Sequence, residues 1–272
     1  MAGGAVLAVP AVACGSVIQQ VASVDPKGNA AVADGILDAP HGTRLVGMGR
    51  AVVAVPSSWS TSETRCLKPV GDTVYAESGA MTDCSDEPTP EELSAASSLA
   101  VSSGENNYGF VRMDDMAPAG TVDGADVLEA EVVCRADDLP PACSQEFAVP
   151  SETVAFRVTV SGVDAEAGVV AIRDSLRILP EGYTAVPLSF GQFGDTPWKG
   201  MPAAYVERLA VAIERAGLRV CLVEEYRDGM TTGSYLYAEP ALGTPLQVGA
   251  TVTLTISAGR EPATVNDTRR RQ

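Results

Sequence analysis

One histidine, three lysines and six cysteines are the side chains from which nucleophilic, acid–base or metal chemistry would have to be built in this 272-residue chain. His41, in "DAPHGTRL", stands alone. A two-histidine zinc motif is therefore impossible from this chain by itself, and no G-x-S-x-G elbow accompanies His41 for a hydrolytic triad. It reads as a surface loop residue. Lys27, Lys68 and Lys199 have no serine three residues before them and no Thr-Gly after them, so the serine–lysine pattern of acylating enzymes is missing. A Gly-rich phosphate loop, H-R-D and D-F-G are missing too. The acidic pairs Asp114-Asp115, Asp137-Asp138 and Glu224-Glu225 are adjacent in sequence. Neighbours on a strand point to opposite faces, so such a pair does not flank one scissile bond and reads as solvated charge. Asp123, Asp126 and Glu129 fall short of the twelve-residue calcium loop. The sequence predicts no catalytic residue, no metal ligand and no cofactor, and the expectation is a protein that is not an enzyme.

The cysteines point to an oxidising compartment. Cys66 and Cys84 lie in one polar, loop-like stretch and Cys134 and Cys143 in another, without the C-x-x-C spacing of a zinc knuckle or a redox motif. Disulfides are expected among these four. Three connectivities are open, and Cys66–Cys84 with Cys134–Cys143 is the preference for short loops. Cys221, between Val220 and Leu222, is expected to be a free thiol packed in a small core. Residues 1–24 carry no ionisable side chain apart from Cys14, and Ala2 to Ile18 is a run of small and apolar residues. "AVAC" resembles a bacterial lipobox, which would make Cys14 the lipidated residue. The stretch lacks the Lys or Arg of a signal-peptide n-region, so a truncated membrane span at the lower limit of length is the competing reading. An ordinary buried segment is the third reading; the first two place the rest of the chain outside the cytoplasm, at a membrane surface.

Nineteen Lys and Arg against thirty-five Asp and Glu give a net charge of −16, which repels nucleic-acid phosphates and anionic headgroups. Nucleic acid is excluded as a partner. Residues 261–272, with Arg269-Arg270-Arg271, read as a disordered tail rather than a basic patch. A 46% hydrophobic content is enough to fill real cores.

The elements divide near residue 183. In residues 25–182, "RAVVAVP", "DTVYAES" and the alternating "ETVAFRVTVSG" predict strands, and "DAEAGVVAIRDSL" predicts a helix with Asp164 as N-cap. "SDEPTPEELSAASS" is either one helical turn at Pro90-Glu91-Glu92 or a loop. This is expected to be an α+β domain. From Pro202 to Ala216, Val206, Leu209 and Ile213 repeat at spacings of three and four, with Pro202 in the first turn and Gly217 at the stop. An amphipathic helix follows from that spacing, with those three side chains expected against Val252, Leu254 and Ile256. "LRVCLVEEY", "GSYLYAEP" and "TVTLTIS" then predict three strands, the last with Thr251, Thr253, Thr255 and Ser257 on a polar face.

The order of these elements resembles the PASTA domain of bacterial penicillin-binding proteins and serine/threonine kinases. The matching residues are Val186-Pro187 at the start, "AGL" closing the helix, "VCLVEEY", "GSYLYAEPALGT" with its Pro-x-x-Gly turn, and "VGATVTLTISAG" at the close. The resemblance covers residues 184 to 260. It departs from the family at "LSFGQFGDTPWKGM", which is longer than the usual connection. It implies a small non-catalytic unit, one helix packed on a three-stranded sheet over residues 183–260, that associates with peptidoglycan or its muropeptide fragments. Exposed aromatics such as Trp59, Trp198, Tyr183, Phe190 and Phe193 could stack on sugar rings. Trp198, Arg219 and Glu225 are the candidate ligand contacts. The expected function is a membrane-anchored envelope protein without catalysis; a structural spacer and an envelope hydrolase with its site in residues 25–182 are the alternatives.

Overall fold

A computed structural model describes residues 36–77, 86–103, 113–135, 140–188 and 199–261; Cys14, Cys84, Asp137-Asp138, Phe190, Phe193 and Trp198 lie outside them. The architecture is α+β, mostly strands with few helices. Strands β1 (Thr43–Met48) and β2 (Ala51–Pro56) form an antiparallel hairpin. Alternate residues of β2 enter two different clusters. Val53 and Val55 join the main core, while Val52 and Ala54 meet Leu45, Leu179 and Ala185. A strand covered on both faces reads as an unbroken apolar run, which is why "AVVAVP" has no polar positions.

The short strands β3 (Ser60–Thr61), β4 (Thr64–Arg65) and β5 (Lys68–Pro69) lead into β6 (Thr73–Ala76). Helix α1 (Pro90–Ala95) resolves the choice left by the sequence in favour of the helical turn. The amide of Glu92 donates to Thr89 Oγ1 at 3.2 Å and the amide of Thr89 donates to Glu92 Oε2 at 2.7 Å, a reciprocal capping box. Then come β7 (Ser98–Ser103), β8 (Ala117–Val122), β9 (Ala125–Glu129), β10 (Val133–Arg135), β11 (Ala142–Val149) and β12 (Val154–Ser161). The main sheet has the order β3-β6-β7-β12-β11-β9-β8, with β10 also paired to β11. Its β3, β6 and β7 pair in parallel and its other neighbours antiparallel. Helix α2 (Ala165–Asp174) lies against β11 and β12 and buries Ala165, Val169 and Ile172 in the same cluster as Phe147 and Phe156. Those two rings stack with centroids 5.1 Å apart. Asp164 occupies the N-cap position without a side-chain capping bond. Strand β13 (Arg177–Ile178) adds to β2.

From residue 183 the chain forms β14 (Tyr183–Ala185), α3 (Ala203–Arg215), β15 (Arg219–Glu225), β16 (Tyr235–Glu239), β17 (Pro245–Gln247) and β18 (Thr251–Ser257). β14 pairs with β17, and a three-stranded sheet has the order β15-β18-β16, with β15 parallel and β16 antiparallel to the centre. Val206, Leu209 and Ile213 are buried with Val252 and Leu254, and Ile256 is partly buried against them. Gly217, at φ +81°, ends α3 in the left-handed conformation, its amide bonded to the carbonyl of Glu214. The expected polar face of β18 is only half right. Thr255 and Ser257 are buried, because β18 is the central strand: Thr255 lies between Val223 and Tyr237, and Ser257 Oγ accepts the Gly259 amide at 3.0 Å.

The β1–β2 hairpin touches both halves of the chain. The Gly47 amide donates to the Gly243 carbonyl at 3.0 Å and the Ala185 amide to the Gly49 carbonyl at 2.7 Å. Buried residues of both halves belong to one continuous cluster.

Candidate functional site

The period of a strand puts Arg219, Cys221, Val223 and Glu225 on one face of β15, out of phase with Val220 and Leu222, whose partners Val252 and Leu254 are buried. This outer face holds a row of Val223, Thr255 and Tyr237 and, one step along, Cys221, Thr253 and Glu239. Val223 and Tyr237 are exposed. Tyr237 donates its hydroxyl to Glu225 Oε2 at 2.9 Å, and Arg227 reaches Glu225 Oε1 at 2.8 Å. The two sequence candidates on this face are thereby separated in role. Arg219 and Glu225 stand at opposite ends of β15, roughly 20 Å apart at the rise of a strand, and the Glu225 carboxylate is already engaged. Trp198, the third candidate, lies outside the described residues.

Cys221 corrects the sequence reading. It is not a free thiol but is disulfide-bonded, as Cys66 is. Val220 and Leu222 suggest an apolar environment, but they flank Cys221 on the opposite face of the strand, and Cys221 itself is half-buried on the outer one. Cys134 and Cys143 face each other across β10 and β11 and are bonded at 2.05 Å, as the short-loop preference expects.

On the other side of this unit, exposed Arg208 lies over the ring of Tyr205 at 5.0 Å on α3, the ring itself partly buried against the core. Beside the start of the helix, Gly200 donates its amide to the Tyr235 carbonyl and Tyr235 donates to Met201, so the end of the long connection is stitched to β16. Gly200 and Met201 therefore lie next to the start of α3. Sequence reasoning passed over Tyr237 and Tyr205. Tyr235 and Tyr237 have the spacing of one strand face, but a register shift between them turns Tyr235 into the core, where burial pushes its phenol above the ordinary range.

The first domain carries a different polar cluster. Arg157, on β12, donates from Nη1 to Glu77 at 2.7 Å and from Nε to Glu146 at 2.6 Å. Glu77 is 4% exposed. Tyr75 lies one step from Glu77 on β6; burial first, and then the Glu77 charge, pushes its phenol up to about 12. A cavity of about 660 Å³ beside this cluster is lined by Leu93, Arg135, Ser144, Glu146, Arg157 and Thr159. Its Glu146 carboxylate is paired with Arg157, Arg135 is a second guanidinium on the lining, and no histidine or lysine lines it. A second hollow of about 720 Å³ lies by Arg50 and Asp123. There Asp123 accepts the Ile178 amide, and Arg50 is paired with Glu152 at 2.6 Å. Glu129, near Asp123 and Asp126 in sequence, is bound to Arg173 at 2.7 Å. Among the described residues no group of three His, Cys, Asp or Glu is placed to hold a metal ion. His41 is exposed in a turn. Trp59 is 6% exposed within the core, so it is a packing residue and not a sugar-stacking one. Among the described residues no helix is long and apolar enough to cross a membrane.

No known family model matches the chain. No curated protein is detectably similar to it either.

Proposed function

We propose that this chain is a non-enzymatic protein of the bacterial cell envelope whose C-terminal unit is PASTA-like and associates with peptidoglycan or its fragments. The observation that carries this reading is the closure of the unit. The Pro-x-x-Gly turn at Pro240 to Gly243 folds back on Val186, with the Gly243 amide on the Val186 carbonyl at 2.7 Å, so the start and the turn of the resemblance meet in space. Helix α3 on the sheet β15-β18-β16 supports the same reading. The four oxidised cysteines among the described residues, Cys66, Cys134, Cys143 and Cys221, suit a location outside the cytoplasm.

Contact with the wall is assigned to the side of α3 and the long connection. There Tyr205, partly buried against the core, and Arg208 above its ring form a half-exposed aromatic–guanidinium pair, and Trp198 lies in the adjoining sequence. The net charge of −16 disfavours electrostatic capture of an anionic wall, so the association is short-ranged and insensitive to salt. Co-sedimentation of the purified protein with insoluble peptidoglycan tests the assignment, with Tyr205→Ala as the variant expected to weaken it.

A further inference from the structure

We propose that β15 is a self-complementary edge through which two copies of this chain pair antiparallel, continuing the C-terminal sheet across a two-fold axis at Leu222. β15 ends its sheet, and no other described strand pairs with its free side. The Arg219 amide donates to the Ala250 carbonyl and the Ala258 amide to the Glu225 carbonyl, both at 2.8 Å, so Arg219, Cys221, Val223 and Glu225 turn their peptide groups to β18. Alternate residues of a strand turn theirs the other way. The amides and carbonyls of Val220, Leu222 and Glu224 therefore face the open edge. That edge is seven residues long, in unbroken register with β18, and has no Gly, Pro or Lys. Other edges among the described residues carry the devices that keep strands apart. β16 has a register shift and is bonded to Gly200 and Met201, β8 has Pro118, Gly120 and a register shift, and β1 is met at Gly47 by Gly243.

The side chains select a second copy as the occupant. Leu222 stands beside the fully buried Leu254, yet it is 50% exposed, because the sheet stops there. With the axis at Leu222, each Leu222 covers the other. Val220 then exchanges backbone bonds with Glu224 of the partner subunit, and Arg219 stands opposite Glu225 of the partner subunit in a close pair with Cβ atoms about 5 Å apart. Arg219 is exposed and has no ion pair of its own among the described residues. Glu225 is held by Tyr237 and Arg227, and a carboxylate has lone pairs for a further donor. Moving the axis by one residue opposes Arg219 to the partner's Val223 or to the partner's Arg227 and loses the charge match. One strand is thus its own complement, the arrangement that a two-fold interface requires. A single strand pair is a small interface, so the dimer is reversible.

The proposal does not rest on the peptidoglycan reading, and its test is separate. Sedimentation velocity of the full-length protein at physiological salt should show the 28.1 kDa chain passing from monomer to dimer as its concentration rises through the micromolar range. Leu222→Lys sets two ammonium groups against each other at the axis and should weaken the dimer at least about tenfold, with circular dichroism confirming the fold. Arg219→Glu and Glu225→Arg, each shown to be folded in the same way, should each weaken it as well, and an equimolar mixture of the two should dimerise again, because each then meets the opposite charge. A chain that stays monomeric at every concentration overturns the proposal and leaves the edge to a strand of another protein. A dimer unchanged by Leu222→Lys, or a mixture no better associated than its components, also overturns it.

Discussion

Gly243 donates its amide to the carbonyl of Val186 at 2.7 Å, and the side chain of Leu188 lies 3.3 Å from where a Gly243 Cβ would stand. The turn and the strand exit, nearly sixty residues apart in the chain, are locked together by a residue that must be glycine. Its φ of +81° is a left-handed conformation that other residues adopt only at a cost.

Gly243→Ala should therefore destabilise the protein by about 1–3 kcal/mol, the range for a non-glycine residue held in that region. Thermal unfolding is the measurement. An unchanged midpoint would show that the turn is free to move away from Val186.

Leu209 is fully buried between Val206 and Ile213 on the inner side of α3. Leu209→Ala is expected to cost about 2–5 kcal/mol by lost transfer energy and the cavity left behind. Val211→Ala, at a position 42% exposed on the same helix, should change little. Equal losses in the two variants would contradict the assigned inner face.

Arg157 is shared by Glu77 and Glu146, and Glu77 is buried. Arg157→Ala leaves a buried carboxylate without its counter-charge and should cost about 3–5 kcal/mol. Arg65→Ala, which removes ion pairs whose side chains are a third or more exposed, should cost less than about 1 kcal/mol. Urea unfolding of both variants gives the comparison, and a larger loss for Arg65 would be inconsistent with the burial of the Arg157 cluster.

Tyr75 gives stability a defined dependence on alkali. Its phenol is raised to about 12 in the folded protein, against about 10 in an unfolded chain. The unfolded state thus loses the proton first. The contribution of Tyr75 is fully present below pH 10 and is lost as the pH rises from about 10 to about 12. Tyr75→Phe should flatten the fall in stability across that window, leaving the part that belongs to Tyr235, which shifts in the same direction. A wild-type slope retained in Tyr75→Phe would remove Tyr75 from the explanation.

Helix α3 is legible in the sequence because its apolar residues repeat at three and four and Pro202 and Gly217 mark its ends. The strands of the C-terminal sheet are legible by alternation, but their faces are not. Tyr235 and Tyr237 look equivalent until the register shift separates them, and Thr255 looks solvated until two neighbouring strands enclose it. The first domain hides more. Ala100, Ala148 and Ala155 are buried on the face opposite Phe147 and Phe156, so the contrast between the two sides of the sheet is weak in the sequence. Arg157 reads as a solvent-facing position in "VAFRVTV", yet its partners lie 11 and 80 residues away. Long-range pairing of that kind leaves no local signal. Cys221 misleads for a related reason: its apolar neighbours describe the other face of the strand.

Association with the cell wall is measured most directly by pelleting insoluble peptidoglycan with the folded, full-length protein over a range of salt. The charge of −16 and the placement of contacts on Tyr205, Arg208 and the long connection predict retention that persists at 1 M salt, where the screening length is only about 3 Å. Tyr205→Ala should lower the bound fraction several-fold at a temperature where the variant is still folded, the ring being partly buried against the core. A protein that stays in the supernatant at every salt concentration, or one released by salt and unaffected by Tyr205→Ala, would contradict the assignment and leave the C-terminal unit as a spacer.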